Sequence, residues 1–251
     1  MSRTAVYQAL ILRSRPSGES NREVFLLTAE EGIIRATVFG GPKSKLRAHA
    51  APFNSGQVWV YLNPVKDSAK LSDFDVHSWR PGLRELYDRT MAAGAIADTI
   101  LATHGGGGAW DTALKLALTA LDALETASEQ LCPQLLVHFL WQWAGFLGMQ
   151  PHIECCAVCG KEAADSPLWF DASEGSVFCA ACASSVPQSQ ALSPKSSSVP
   201  GLLQLNPGCR RWLSAVGGLE FMDNKSFYEA KALATAVMAG ALGKRLASWD
   251  W

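Results

Sequence analysis

Alternation of apolar and polar positions dominates the chain up to residue 80. AVYQALILR, REVFLLT, GIIRATVF, QVWVYL and KLSDFDV are five short runs rich in β-branched and aromatic residues, and SRPSGESN, AEEG and GGPKSKLRAHAAPFNSG separate them. Five strands at this spacing predict a small barrel of the OB type. After Pro81 the apolar period lengthens. LRELYDRTMAAGAIADTILATH, WDTALKLALTALDALET and PQLLVHFLWQWAGFLGM repeat their apolar residues at helical spacing, with breaks at Gly105 to Gly108 and at Cys132-Pro133. These runs are expected to pack as a bundle. A cysteine-bearing segment follows, then SSVPQSQALSPKSSSVP, whose Ser and Pro content argues for a mobile or extended connector. SFYEAKALATAVMAGALGKRLASW closes the chain as one more amphipathic helix.

The chain of 251 residues is 48% hydrophobic and 18% charged, enough to bury a sizeable core and unlike a disordered composition. Its longest apolar run, Leu135 to Met149, is interrupted by His138 and Gln142 and falls short of a membrane span. MSRTAVYQALILRSR alternates and carries no small-residue cleavage site, so it reads as a strand rather than a signal peptide, and a cytoplasmic location is expected. The net charge of -1 hides an asymmetry. Met1 to Arg80 holds eleven Lys/Arg against seven Asp/Glu, a balance of +4, whereas Pro81 to Trp251 holds eleven against sixteen, a balance of -5. The basic end is the candidate contact for a polyanion.

Seven cysteines is an odd number, and in a reducing compartment closely spaced pairs bind metal more often than they form disulfides. Cys156-Ala-Val-Cys159-Gly160 and Cys179-Ala-Ala-Cys182 each supply a knuckle of two thiolates, with Gly160 where a knuckle needs positive φ. Between them PLWFDASEGSVFC reads as two short strands around Ser173-Glu174-Gly175. One structural zinc held by Cys156, Cys159, Cys179 and Cys182 is expected, with Cys132, Cys155 and Cys209 as packed thiols. A competing reading takes His152-Ile-Glu154 with Cys179 and Cys182 as the His-x-Glu and Cys-x-x-Cys signature of a zinc deaminase. Phe178 stands where that signature has proline, and Cys156 and Cys159 are left without a role. The expected fold is thus α+β and multidomain. An OB-type barrel occupies 1–80, the first part of a helical domain 81–152, an inserted zinc ribbon 153–185, and a Ser-rich connector with C-terminal helices packing on the helical domain 186–251.

GGPKSKLR concentrates Lys43, Lys45 and Arg47 around glycines between the third and fourth strands. With Arg13, Arg15, Arg22 and Arg35 on adjacent strands or turns, it forms a candidate groove for a phosphate backbone, which attracts cations largely without regard to base sequence. The bland alternative is a solubilising loop. No GxxxxGK[ST] occurs, so ATP hydrolysis is not expected, and no catalytic Ser/His/Asp or Cys/His set stands out. VHFLWQWAGFL reads as core rather than as a base-stacking surface, with Trp141 and Trp143 on different helix faces.

ALILRSRPSGESNREVFLLTAEEGIIRATVFGGPKSKLRAHAAPF resembles the N-terminal barrel of the RecO family of recombination mediator proteins. The likeness lies in the Gly-Glu-Ser turn, the Leu-Leu-Thr step towards the third strand, and the basic Lys-Ser loop before Pro52-Phe53. FLGMQPHIECCAVCG and FCAAC resemble the zinc segment of that family, and the resemblance spans most of the chain in the right order. It implies a non-enzymatic protein of the bacterial cytoplasm and nucleoid that binds single- and double-stranded DNA and anneals complementary strands. It also implies partners: the tail of single-stranded DNA-binding protein, RecR, and indirectly RecA, which is loaded onto coated gaps. By position, Lys43, Lys45 and Arg47 become basic-loop contacts and the four knuckle cysteines zinc ligands. A zinc-stabilised interaction module without DNA activity stands as the alternative of another class, beside the zinc hydrolase.

Overall fold

The period-two pattern of the N-terminal runs closes on itself. In the computed structural model, which describes residues 4–41, 43–66, 68–184, 202–215 and 222–250, five strands follow one another as β1 (Thr4–Ser17), β2 (Asn21–Thr28), β3 (Gly32–Val38), β4 (Ser55–Asn63) and β5 (Ser68–Ser78). They form a closed barrel in the order β1-β2-β3-β5-β4. All neighbours are antiparallel except β3 and β5, whose parallel pairing joins Thr37 to Lys70. Tyr7, Ala9, Ile11, Val24, Leu26, Ala36, Val38, Val58, Val60, Leu71 and Phe74 fill the interior.

GGPKSKLRAHAAPFNSG, expected as a plain connector, contains a helix, α1 (Lys45–His49). One turn is too short to show a helical period, and no side chain caps its start. It forms because Leu46 packs against the barrel core and His49 Nδ1 lies 3.0 Å from the Phe74 carbonyl. A helix between the third and fourth strands completes the OB-type arrangement that the strand pattern predicted.

Outward residues near one end of the barrel, Leu10 and Leu27, are also fully buried. Helices α2 (Tyr87–Ala102) and α3 (Trp110–Glu125) contact each other and the β1 and β2 strands. The four glycines that separate them, Gly105 to Gly108, all take positive φ, the conformation that lets the chain reverse within a few residues. Arg80, itself at φ +43, ties the assembly together from a buried position. Its Nε donates to Asp122 on α3 at 2.7 Å, and its Nη1 donates to the Phe53 carbonyl and Ser55 hydroxyl of the barrel, each at 2.9 Å.

Contacts divide the chain into two units, one running to Leu136 and the other from Val137 to Asp250. Helix α4 (Cys132–Phe146) passes from the first into the second, and Trp141 and Trp143 on it are both buried. The second unit carries β6 (Leu168–Asp171), β7 (Ser176–Phe178), α5 (Ala180–Ala183), β8 (Leu202–Leu205), α6 (Pro207–Ser214) and α7 (Asn224–Leu242). Its sheet has the order β7-β6-β8. Strand β8 has no counterpart in the sequence reading, and α6 has none beyond the general expectation of C-terminal helices after residue 186. The last apolar run is not one helix: α7 stops at Gly243, at φ +64, and Trp249 is buried from a separate 3-10 turn, Ala247–Trp249. Residues 185–198 of the Ser-rich connector lie outside the described residues. Among the described residues no helix is long and apolar enough to cross a membrane.

Two expectations follow from packing. Gly32 sits at φ +69 with the Trp110 indole 2.7 Å from where a Cβ would be. Gly32→Ala therefore combines backbone strain with overpacking and is expected to cost about 1–3 kcal/mol in urea unfolding. His138 is partly buried, edge-on to Trp212 at 5.6 Å. Burial lowers its pKa from 6.5, against an opposing backbone interaction with Ala215, so the native state binds fewer protons than the unfolded chain. Stability is expected to fall as pH drops below the unfolded value of about 6.5 and to level off below the lowered native value. Thermal unfolding across that range should show a shallower pH dependence in His138→Gln than in the wild type.

Candidate metal centre and nucleic-acid face

The first cysteine knuckle is held by its own backbone. Gly160 N donates to Cys156 O at 2.9 Å with Gly160 at φ +68, and Cys156 N donates to Lys161 O at 3.0 Å. Ala157 N donates to Val177 O at 2.9 Å, which pins this knuckle to β7. The β6–β7 hairpin then carries the chain back to Cys179, the residue just before α5, and one helical turn presents Cys182. All four sulfur atoms lie within 4.8 Å of one another, and Cys159 Sγ is 3.9 Å from Cys179 Sγ. Thiolates about 2.3 Å from a tetrahedral zinc are about 3.8 Å apart, so the donor set fits that ion in size as well as softness. Four thiolates close the coordination shell and leave no position for a substrate water. His152 and Glu154, the residues of the deaminase reading, do not join the cluster.

Electrostatics point the same way. Burial opposes ionisation of Cys156, but the backbone amides of Cys159, Cys179 and Val158 together outweigh it and bring the thiol to about 6. Cys182, hydrogen-bonded to Cys179 and surrounded by the other thiols, is pushed up to about 12. A dication at the centre would remove the mutual repulsion that keeps the last thiol protonated. Cys132 and Cys209 are buried elsewhere, and burial raises both thiols, Cys209 to about 12.

Arg210 on α6 is the residue that sequence reasoning missed. Only 5% exposed, it donates from Nη1 to Ile153 O at 3.0 Å and from Nη2 to the carbonyls of Ala163 and Ser166, the latter at 2.7 Å. The irregular chain entering and leaving the first knuckle thus gains the partners that a strand ladder would otherwise supply. Helix α6 is fixed in turn by its cap, Asn206, which accepts from Cys209 N at 2.8 Å and donates to Ser226 Oγ at 3.1 Å. Nothing local in NPGCRRWL marks this role.

The basic residues of the barrel separate into three groups. Strand β1 has a bulge between Ile11 and Arg13, where Leu12 is the extra residue. Tyr7, Ala9 and Ile11 point inward, and unbroken alternation would send Arg13 and Arg15 after them. The bulge instead turns both arginines outward. Across the strands they form rows, Arg13–Phe25–Arg35 and Arg15–Glu23–Thr37, the second continuing to Lys70. Glu23, 7% exposed, accepts from both Arg15 and Arg35. Burial pushes its pKa up, and the two guanidiniums reverse that to hold it below the ordinary value. Arg13 pairs with Asp98 on α2. The arginine of Arg15 lies over the Phe25 ring at 5.2 Å, and Lys70 Nζ over the Phe39 ring at 5.5 Å. Arg22 alternates with Glu23 and is bound to Ser14, at 2.8 Å to Oγ and 3.2 Å to O, so it does not join the outward rows. Lys43 and Lys45 are exposed and Arg47 half-buried on the segment through α1, with no ion pair among the described residues.

Elemental analysis of the purified chain is expected to give one zinc per molecule. Cys159→Ser should lose the metal and lower the unfolding temperature, because a missing ligand in a closed tetrahedral site removes binding energy that is also folding energy. Cys155→Ser, outside the cluster, should retain it.

Comparison with known proteins places these features in a family. The chain matches the model for the N-terminal part of recombination protein O over residues 1–78 and that for its C-terminal part over residues 84–215. The DNA repair protein RecO of Anaeromyxobacter sp. (strain K) is 30% identical over 241 residues, which cover 95% of this chain and 92% of that protein. The RecO of Myxococcus xanthus is 28% identical over 247 residues, 97% and 94% of the two chains, and that of Rubrobacter xylanophilus 28% over 187, or 73% and 74%. Both parts of the family are present in order, and this chain belongs to the RecO family of DNA repair proteins.

Proposed function

We propose that the chain is a recombination mediator that binds single- and double-stranded DNA and anneals complementary strands. With RecR, it helps load RecA onto gaps coated with single-stranded DNA-binding protein, whose tail it engages. The observation that carries this reading is the outward face centred on β2 and β3, where Arg15 from β1, Arg35 from β3 and Lys70 from β5 stand among aromatic rings on a closed barrel. In OB barrels this is the side on which oligonucleotides lie. Two phosphate backbones repel each other, and a face that neutralises them lets complementary strands meet.

The work is divided between two kinds of cation. Arg15 and Arg35 are held by Glu23 and offer their remaining N–H groups in a fixed arrangement, while Arg13 is committed to Asp98. Lys43, Lys45 and Arg47 are not committed in this way and are the mobile phosphate contacts. Zinc at the cysteine cluster serves structure, fixing the two knuckles against β6 and β7. No catalytic step is assigned to the protein. An interaction module without DNA activity would instead show no salt-dependent binding to any oligonucleotide.

Charge reversal of Lys43, Lys45 and Arg47 together should weaken binding of a fluorescent single strand. It should also flatten the dependence of log K on log salt by about 2, since each phosphate contact to a single strand contributes about 0.7. Unchanged affinity and slope would remove this segment from the binding face.

A further inference from the structure

Among the large apolar side chains of the barrel, Phe39 stands out by its position. It follows β3 directly, lies two residues beyond Thr37 on the outward face, and is 50% exposed. A single exposed aromatic is ordinary. Its neighbour is not: Lys70, reached across the Thr37–Lys70 pairing that closes the barrel between β3 and β5, places its Nζ 5.5 Å from the ring centroid. Phe25 lies four residues back along the register, about 13 Å away along the strand, and its ring already carries Arg15. The two rings bracket the Arg15–Glu23–Arg35 group. One ring is capped by a guanidinium and partly buried, and the other is open to solvent beside an ammonium.

We propose that Phe39, with Lys70 at its ring, is a stacking site for one unpaired nucleobase. The base would take the open part of the ring, and Lys70 would meet an adjoining phosphate. Every base has a π-face, so the contact is tolerant of sequence, but a base inside a duplex has both faces occupied by its neighbours. Arginine and lysine contacts to phosphate do not make that distinction. The site therefore adds to the barrel face a preference for single strands that charge alone does not supply. The inference rests on the reading of this face as the DNA-binding one and names what that face recognises.

The test compares wild type with Phe39→Ala and Phe39→Trp in binding to a labelled oligothymidylate, an abasic strand of equal length and a duplex. Phe39→Ala should weaken oligothymidylate binding by about 5- to 100-fold, the range for loss of one stacked base, with its salt slope unchanged. Its binding to the abasic strand and the duplex should match the wild type. Phe39→Trp should restore the affinity, and its tryptophan emission should be quenched by oligothymidylate more than by the abasic strand. Equal binding of oligothymidylate by wild type and Phe39→Ala would overturn the stacking site while leaving the DNA-binding reading intact. Equal losses on the natural and abasic strands would also overturn it, by showing that Phe39 only supports the local structure. Absence of salt-dependent binding in the wild type would defeat the DNA-binding reading itself, and this inference with it.

Discussion

A guanidinium taken out of water draws acceptors to its N–H groups, and in each unit of this chain one buried arginine gathers them from separate segments. In the first unit Arg80 gathers the carbonyl of Phe53, the hydroxyl of Ser55 and the carboxylate of Asp122. In the second, Arg210 gathers the carbonyls of Ile153, Ala163 and Ser166. Phe53, in the turn before β4, and Ile153, Ala163 and Ser166, around the first knuckle, lie in segments with no continuous ladder of their own, so each arginine supplies donors that the local chain lacks. Hydrogen bonds to a charged group contribute about 1.5–3 kcal/mol each where neutral pairs contribute about 1. The same bonds fix geometry: the barrel entrance is set relative to α3 by one arginine, and the start of the cysteine cluster relative to α6 by the other.

The surface arginines obey a looser form of the same rule. Glu23 couples Arg15 to Arg35, and Asp98 balances Arg13, so the outward face carries less net charge than a count of its cations implies. What remains is geometry more than field strength. Two guanidiniums with restricted rotamers lose less entropy on meeting a phosphate than two free ones. Longer-range attraction falls to Lys43, Lys45 and Arg47. The centre of the face is thus rigid and nearly neutralised, and its cationic contacts on the loop side are adaptable.

How much of this was legible in the sequence follows from the distance over which each signal acts. The five strands declare themselves because their period is local, and the four cysteines because a knuckle is a turn of a few residues. The order β1-β2-β3-β5-β4 follows from the OB expectation. Helix α1 is invisible because a single turn has no period and is held by Leu46 and His49 reaching the barrel. Strand β8 is only Leu202–Leu205 and pairs with β6 across more than thirty residues of sequence, and α6 is eight residues long. Gly243 was a readable stop signal for α7, masked by the apolar residues that resume after it. Glu23 and Arg210 could not be read at all. Their importance lies in partners that only strand register or tertiary folding brings near, and the same is true of the separation of Arg22 from Arg13 and Arg15.

The bulge at Leu12 makes the polarity of the first hairpin a matter of counting. Upstream of it odd-numbered residues face the barrel interior, and downstream of it they face outward, so one added residue converts a core-forming sequence into a charge-bearing one without any change of pattern. Substitutions in β1 are judged one side chain at a time. Insertions or deletions between Ile11 and Arg13 are judged all at once, because each exchanges the lining of the barrel with its outer wall over the rest of the strand. This hairpin should therefore drift in composition among relatives far more freely than in length.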